Sequence, residues 1–545
     1  TLITSSYEAS KAITCKFGVE NKFIKYDAEG KEYYVLFLDD KVSTELKEIT
    51  RFIKEKFHIS IYPHFIKSIP KIQLAEKTSM QMDTIQFSKN LTLKSGLLKD
   101  TSEELMENVE KEERNFSNSV IKQDVVRKYG ICPCQKFHLK YNEKSGTILK
   151  IERYLDIELL QEAMLYLISK QGLLRSILVQ EEQEYYWQEH NVPDRIKIPY
   201  IDLSEYNLKF KEEFLKINIG QYFTRGYEKE NSLLYKMLLV KENLKEYLLV
   251  LPFSHVIFDA MSSEILSRKL LEYYDTLEKG KEISDEEVES YESYVEQIKN
   301  VGHSITEDDV IDIFELDEFQ EYTSKMKCSS LEHREARVTA FNYDISLKEI
   351  ETTNYSIEPS KMSLDLISNV CQKYFGVPKI PMYMIGYGRK YEYKTYFNTI
   401  GEFIDLVPIL VTDDGKSMEQ AQDKLNKSSK YGINFFNLLY GNEISQDYKK
   451  IQHLMQKHNL EDSIIYNFQG KFEKDEDQFI NELVLENNNN KMLGFVPRMQ
   501  FNAKCYKDML RITVFSSSPS QEEKIKELLN TELEHILESR IREIS

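Results

Sequence analysis

Cysteine, tryptophan, proline and glycine are all scarce in this chain: 6, 1, 12 and 19 of 545 residues. With 41% hydrophobic and 30% charged residues, that scarcity excludes collagen-like, low-complexity and disordered classes. Six scattered cysteines make no disulfide framework, and the one close pair, Cys132 and Cys134, has a single intervening residue instead of zinc-ribbon spacing; all six read as reduced thiols. Long apolar runs are missing too. Tyr247 to Phe253 and Leu406 to Val411 fall well short of the roughly 18 residues a bilayer span needs, so no membrane partner is expected. The opening Thr1, Leu2, Ile3 lacks the basic flank and apolar block of a secretory signal, which predicts a cytoplasmic address, and a first residue other than Met reads as a piece of something longer. Basic excess is also absent. With 72 basic against 90 acidic side chains the formal charge is −18, and no basic stripe with interleaved aromatics offers a path for a phosphate backbone; nucleic acid is excluded as a partner.

What is present is length enough for about three or four domains and for a large buried core. Residues 1–88 read as a small α/β module, with a strand through Tyr33–Leu38 after the turn at Gly30 and helical periodicity at Leu46, Ile49, Phe52 and Ile53. Residues 89–124 are polar and charged, a linker with one helix near 102–113. From Tyr129 onward two stretches of alternating strands and helices, 125–325 and 326–545, flank the acidic segment around Glu307 to Glu321. They predict a two-lobed α/β body.

Chemistry concentrates between Tyr247 and Tyr274. An apolar strand ends at Ser254 and His255, Asp259 follows, and an amphipathic helix begins with Ser262 and Ser263 near its start. A histidine at the mouth of a buried strand suits a proton acceptor, because imidazole's ordinary pKa near 6.5 leaves the neutral base available around neutral pH. Spacing alone also fits a satisfied core histidine and an ordinary helix-start carboxylate.

The stretch Ser254-His255-Val256-Ile257-Phe258-Asp259-Ala260-Met261-Ser262 resembles the His-His-x-x-x-Asp-Gly-x-Ser signature of nonribosomal peptide synthetase condensation domains. Other elements match in the family's order. Ile131-Cys132-Pro133-Cys134-Gln135 is similar to Leu-Ser-Pro-Ala-Gln, Lys170 to Leu178 resembles Arg-His-Glu-x-Leu-Arg-Thr-x-Phe, Tyr291-Glu292-Ser293-Tyr294 resembles Tyr-x-Asp-Tyr, and Ile400 to Pro408 resembles Ile-Gly-x-Phe-Val-Asn-Thr-Leu-Pro. The resemblance implies a two-lobed, V-shaped chloramphenicol-acetyltransferase-like fold, a pseudo-dimer over residues 125–545. It also implies amide formation between a carrier-tethered acyl or peptidyl thioester and an amine, with His255 as the catalytic group. Substrates would arrive on the 4'-phosphopantetheine of partner carrier proteins within a larger synthetase, with no cofactor or metal bound by the chain itself. Ser254 and Ser262 would support the site, and Asp259 would be held by Arg389 or by Arg175.

The chain departs from the signature at Ser254, where the family has a first histidine, and at Ala260, where it has a glycine; these departures leave room for a catalytically silent docking or gating module. A related branch epimerises carrier-bound aminoacyl thioesters and carries Glu-Gly-His-Gly-Arg-Glu. Here Ile385-Gly386-Tyr387-Gly388-Arg389-Lys390 lacks both carboxylates, although Tyr466 to Gly470 resembles that branch's Asn-Tyr-x-Gly element. Residues 1–88 resemble the C-terminal subdomain of adenylation domains, with Gln81 where that family has its lysine, a degenerate form suited to docking. Gly302-His303-Ser304-Ile305 resembles a carrier's phosphopantetheine site but lacks the four-helix domain a carrier needs, so Ser304 is not expected to be modified.

Overall fold

The structure is a computed structural model. It describes residues 6–18, 21–28, 31–39, 46–57, 66–69, 95–141, 144–206, 208–224, 231–300, 306–329, 339–348, 358–391, 394–412, 417–431, 435–441, 449, 452–453, 463–472, 497–506, 508–516 and 520–544. Gln81 and Ser304 lie outside the described residues.

At the N-terminus, strands Asn21–Ala28 and Lys31–Asp39 form an antiparallel pair, Ile66–Ile69 adds in parallel, and helices Ser6–Phe17 and Leu46–Phe57 accompany them. The helix expected near 102–113 runs from Ser95 to Ile121. Its length follows from a buried stripe that continues past the polar-looking stretch: Met106 and Val109 pack with Leu215 and Tyr222, while Phe116 and Val120 join the main core.

The strand that leads to His255, Glu246–Ser254, is central in a sheet of four, between Lys144–Ile151 and Leu238–Asn243. Both of its faces are covered, which is why Tyr247 to Phe253 are apolar without alternation. A second sheet of this half joins Val125–Gly130, Glu184–His190 and Ser176–Glu181. The C-terminal half is built on a six-stranded mixed sheet in the order 339–346, 509–516, 499–506, 464–472, 380–387, 404–411. Its edge pair, Ile380–Tyr387 with Ile404–Val411, is antiparallel, and the connection between them faces the His255 turn.

The halves share one core. Phe137 of helix Pro133–Tyr141 meets Phe436 of helix Phe435–Tyr440 with ring centroids 4.8 Å apart, and Tyr291 meets Phe403 at 5.3 Å. The division expected at 325/326 falls inside helix Leu316–Ser329, which packs on the C-terminal sheet through Phe319 and Tyr383. The acidic segment that precedes it is ordered by a capping box, Thr306 and Asp309, at the start of helix Glu307–Phe314.

Candidate active site

The turn after Ser254 is held from several directions. Ser254 N–H donates to Leu234 O (2.8 Å), its Oγ accepts from Val256 N–H (3.2 Å), and its carbonyl accepts from Ile257 N–H (3.1 Å). The buried Gln135 donates from Nε2 to Val256 O (2.6 Å), while its Oε1 accepts from Cys132 N–H and from the indole N–H of Trp187. Ser254 thus supports the turn through its hydroxyl, and the element around Gln135 contributes one amide that clamps it.

His255 packs against His138 in a stacked pair, centroids 5.3 Å apart, and lies edge-on to Phe253. Its side chain is 29% exposed, neither sealed in the core nor standing in bulk water. Nδ1 lies 3.1 Å from Phe258 O. A carbonyl can only accept, so the proton of the neutral ring sits on Nδ1 and Nε2 is the acceptor nitrogen.

Asp259 caps helix Ala260–Glu278, its Oδ1 accepting from Ser262 N–H (2.7 Å) and from Arg389 Nη2 (2.5 Å). Both members of the ion pair are fully buried. Arg389 also donates to the carbonyls of Tyr396 (2.8 Å) and Thr399 (2.7 Å) and to Ser262 Oγ (2.9 Å), and its guanidinium lies 4.2 Å over the Phe403 ring. Ser262 Oγ in turn donates to Gly401 O and accepts from Gly401 N–H. Arg175, the other cation considered for Asp259, is spent within the N-terminal half on Glu189 and the carbonyls of Ile168, Ser169 and His190. The pairing is decided by which segments the topology brings together, and Arg175 belongs to a different sheet edge.

Ala260, where the signature has a glycine, is the exposed first residue of its helix and is not among the positive-φ residues, so its methyl meets no backbone strain. Gly401 is the demanding glycine: a Cβ there would lie 2.3 Å from two ring carbons of the buried Tyr291. Tyr291 donates its hydroxyl to Glu402 O (2.7 Å) and cannot retreat without losing that bond. Gly401→Ala is expected to lower stability by about 1–3 kcal/mol through overpacking, read as a lowered urea midpoint.

Two neighbours of His255 are not marked by the sequence. Glu402, fully buried, occupies the variable position of the Ile-Gly-x-Phe element; its Oε1 accepts from Ile404 N–H (2.9 Å) and lies 3.8 Å from His138 Nε2, while Oε2 lies 3.8 Å from His255 Nδ1. Burial pushes its carboxyl above the ordinary range, and the two nearby imidazoles pull it back down. His138 stood in the helix after Gln135 with nothing but its residue type to mark it. Asp405, three residues on, is also buried; its Oδ1 accepts from the N–H groups of Leu406 and Phe435 (both 2.8 Å), and burial raises its carboxyl to about 8. Gln171 ties the halves together by donating to Asn398 O and accepting from Ile400 N–H, both at 2.8 Å. The five described cysteines are free thiols, burial pushes Cys134 and Cys371 up, and among the described residues no group of three or more His, Cys, Asp or Glu could hold a metal ion. No helix among the described residues is long and apolar enough to cross a membrane.

A family profile described as "Condensation domain" matches residues 134–308. One of the linear gramicidin synthase polypeptides of Brevibacillus parabrevis is 23% identical over 193 residues, 34% of this chain; the match spans about 2% of that protein's length. Among solved structures, the epimerization domain from the third module of tyrocidine synthetase B is similar with a TM-score of 0.56 at 14% identity, covering 78% of this chain and 99% of that one. A doubly substituted starter condensation domain of rhizomide synthetase, in complex with C8-CoA and Leu-SNAC, gives 0.53 at 10% identity, covering 74% and 94%. Residues 134–308 therefore match the condensation-domain family model, and the fold built around them is the one that these solved epimerization and condensation domains share, the two-lobed α/β architecture expected from the sequence.

Proposed function

We propose that this domain joins a carrier-tethered acyl or peptidyl thioester to an amine presented by a second carrier, both substrates arriving on phosphopantetheine arms within a larger synthetase. The observation that carries this reading is the state of His255: Nδ1 is committed to Phe258 O, Nε2 is the acceptor nitrogen, and the ring is partly exposed where the two halves meet. In the reaction the amine nitrogen attacks the thioester carbonyl, Nε2 takes or orients the amine proton, the C–S bond breaks, and the departing thiolate is protonated. Alignment of two tethered reactants supplies much of the acceleration.

Asp259, Arg389 and Ser262 would keep the His255 turn and the 389–401 segment in register, without touching substrate. Ser254 would do the same from within the turn, whereas Arg175 acts at a distance through the packing of the N-terminal half. The test is to load donor and acceptor carriers and follow the acceptor by intact-protein mass spectrometry. Transfer of the donor acyl mass to the acceptor supports the reading; no transfer with native partners favours a silent docking module. Solvent deuterium entering the α-carbon of one loaded carrier, with no second substrate, would instead favour epimerisation.

A further inference from the structure

Glu402 and His138 have no part in the reaction proposed above, yet they stand against the one imidazole it depends on. Glu402 is fully buried, held by Ile404 N–H and by Tyr291, which binds its carbonyl. From that fixed position its two carboxylate oxygens face two different rings, each 3.8 Å from a ring nitrogen. His138 is 5% exposed and walled by Phe137 and Phe436, and its ring is stacked on His255 with an interplanar angle of 24°. We propose that Glu402 is a positioning residue that, with His138, forms a three-member array around His255, in which one buried carboxylate serves two stacked imidazoles and sets how readily His255 carries a proton.

The physical case rests on charge and space. Two imidazolium rings at this separation repel, and a single carboxylate can neutralise only one of them. Protonation of His255 is therefore set jointly by the carboxylate and by the neighbouring ring, as for any coupled sites. The carboxylate favours the charged form of His255, whereas His138 competes for the same carboxylate. Other titratable groups facing Glu402 do not break this balance: Asp259 is tied to Arg389, Cys134, Tyr291 and Tyr387 are pushed up by burial and stay neutral, and Asp405 turns its carboxyl toward the N–H groups of Leu406 and Phe435. The inference deepens the proposed reaction by naming what tunes its base. It predicts opposite signs for two substitutions, which loss of packing alone does not.

The experiment is carbethoxylation by diethyl pyrocarbonate, which modifies neutral imidazole, followed across pH in the full chain. The tryptic fragment between Lys245 and Arg268 contains His255 and no other histidine, so its rate of labelling reports that residue alone. Glu402→Gln keeps the shape and the Ile404 contact and should move the His255 midpoint down by on the order of one pH unit. His138→Gln removes the competitor and should move it up, by about half a unit. Midpoints that stay put in both folded variants, or that move in the same direction, would overturn the array. Were Glu402→Gln to unfold, the His138→Gln arm decides alone: an upward move supports the proposal and an unmoved or lowered midpoint defeats it. No carrier, donor or amine enters the assay, so failure of the condensation reading and failure of the array are seen separately.

Discussion

Asp259→Ala is expected to cost about 3–5 kcal/mol of stability, the range for removing one partner of a buried ion pair and stranding the other. The Arg389 guanidinium has no exposed surface and would be left with two carbonyls, one hydroxyl and the Phe403 ring, none of which carries a full negative charge. A further ~1 kcal/mol is lost with the helix cap, because Ser262 N–H then has no side-chain acceptor. Asp259→Asn restores the cap without the charge and should fall between wild type and Asp259→Ala. Replacing both partners, Asp259→Ala with Arg389→Met, removes the stranded charge and should recover much of the loss, giving a coupling energy of at least about 2 kcal/mol in a double-mutant cycle. Trp187 reports the transition: it is the single tryptophan, buried and bonded to Gln135, which holds the His255 turn. Urea midpoints followed by its fluorescence measure each variant, and simple additivity of the two single losses would show that the pair is not a unit.

How far the sequence reaches is clear from the same residues. The buried strand, the turn at His255 and the helix start at Asp259 were all legible, because apolar run, histidine and capping carboxylate lie within one local stretch. The cation that meets Asp259 was not. Arg389 and Arg175 are both plausible by type, and only the placement of the 380–411 edge pair beside the N-terminal half separates them. Glu402 was hidden for a related reason: a charged residue at a variable motif position reads as surface until the fold closes over it. His138 faced the same difficulty, since its helix shows no sign of which side meets His255. Ala260 makes the converse point, for a glycine in a motif does not tell whether the backbone there needs one. At Gly401 it is needed, and the reason is a tyrosine ring contributed from 110 positions earlier in the chain.

His255→Ala should reduce the turnover of loaded carriers by about a hundred- to ten-thousandfold, the range for a general base in proton transfer, while leaving KM for the carriers close to wild type. The split follows from geometry. Nε2 is the ring nitrogen that can accept once Nδ1 is committed to Phe258 O, and in the proposed reaction it would act on the amine proton, not on the carrier surface. An α-amine has a pKa near 7.7–8.0, so much of it is protonated at neutral pH, and the neutral fraction still gains a full positive charge as it attacks the thioester. A positioned acceptor relieves that charge in the transition state. Wild-type turnover should therefore fall as pH drops through the titration of the His255 array, whereas His255→Ala should keep only the acid limb of the amine itself. His255→Gln, which can accept a hydrogen bond but not hold a proton, separates the two roles left to the ring. Recovery of most of the rate by glutamine would mean that the imidazole orients the amine; recovery of little would mean that it removes the proton. A loss smaller than about tenfold in His255→Ala, measured in single-turnover transfer so that carrier exchange does not mask chemistry, would take the imidazole out of the mechanism and leave alignment of the two tethers as the source of the rate.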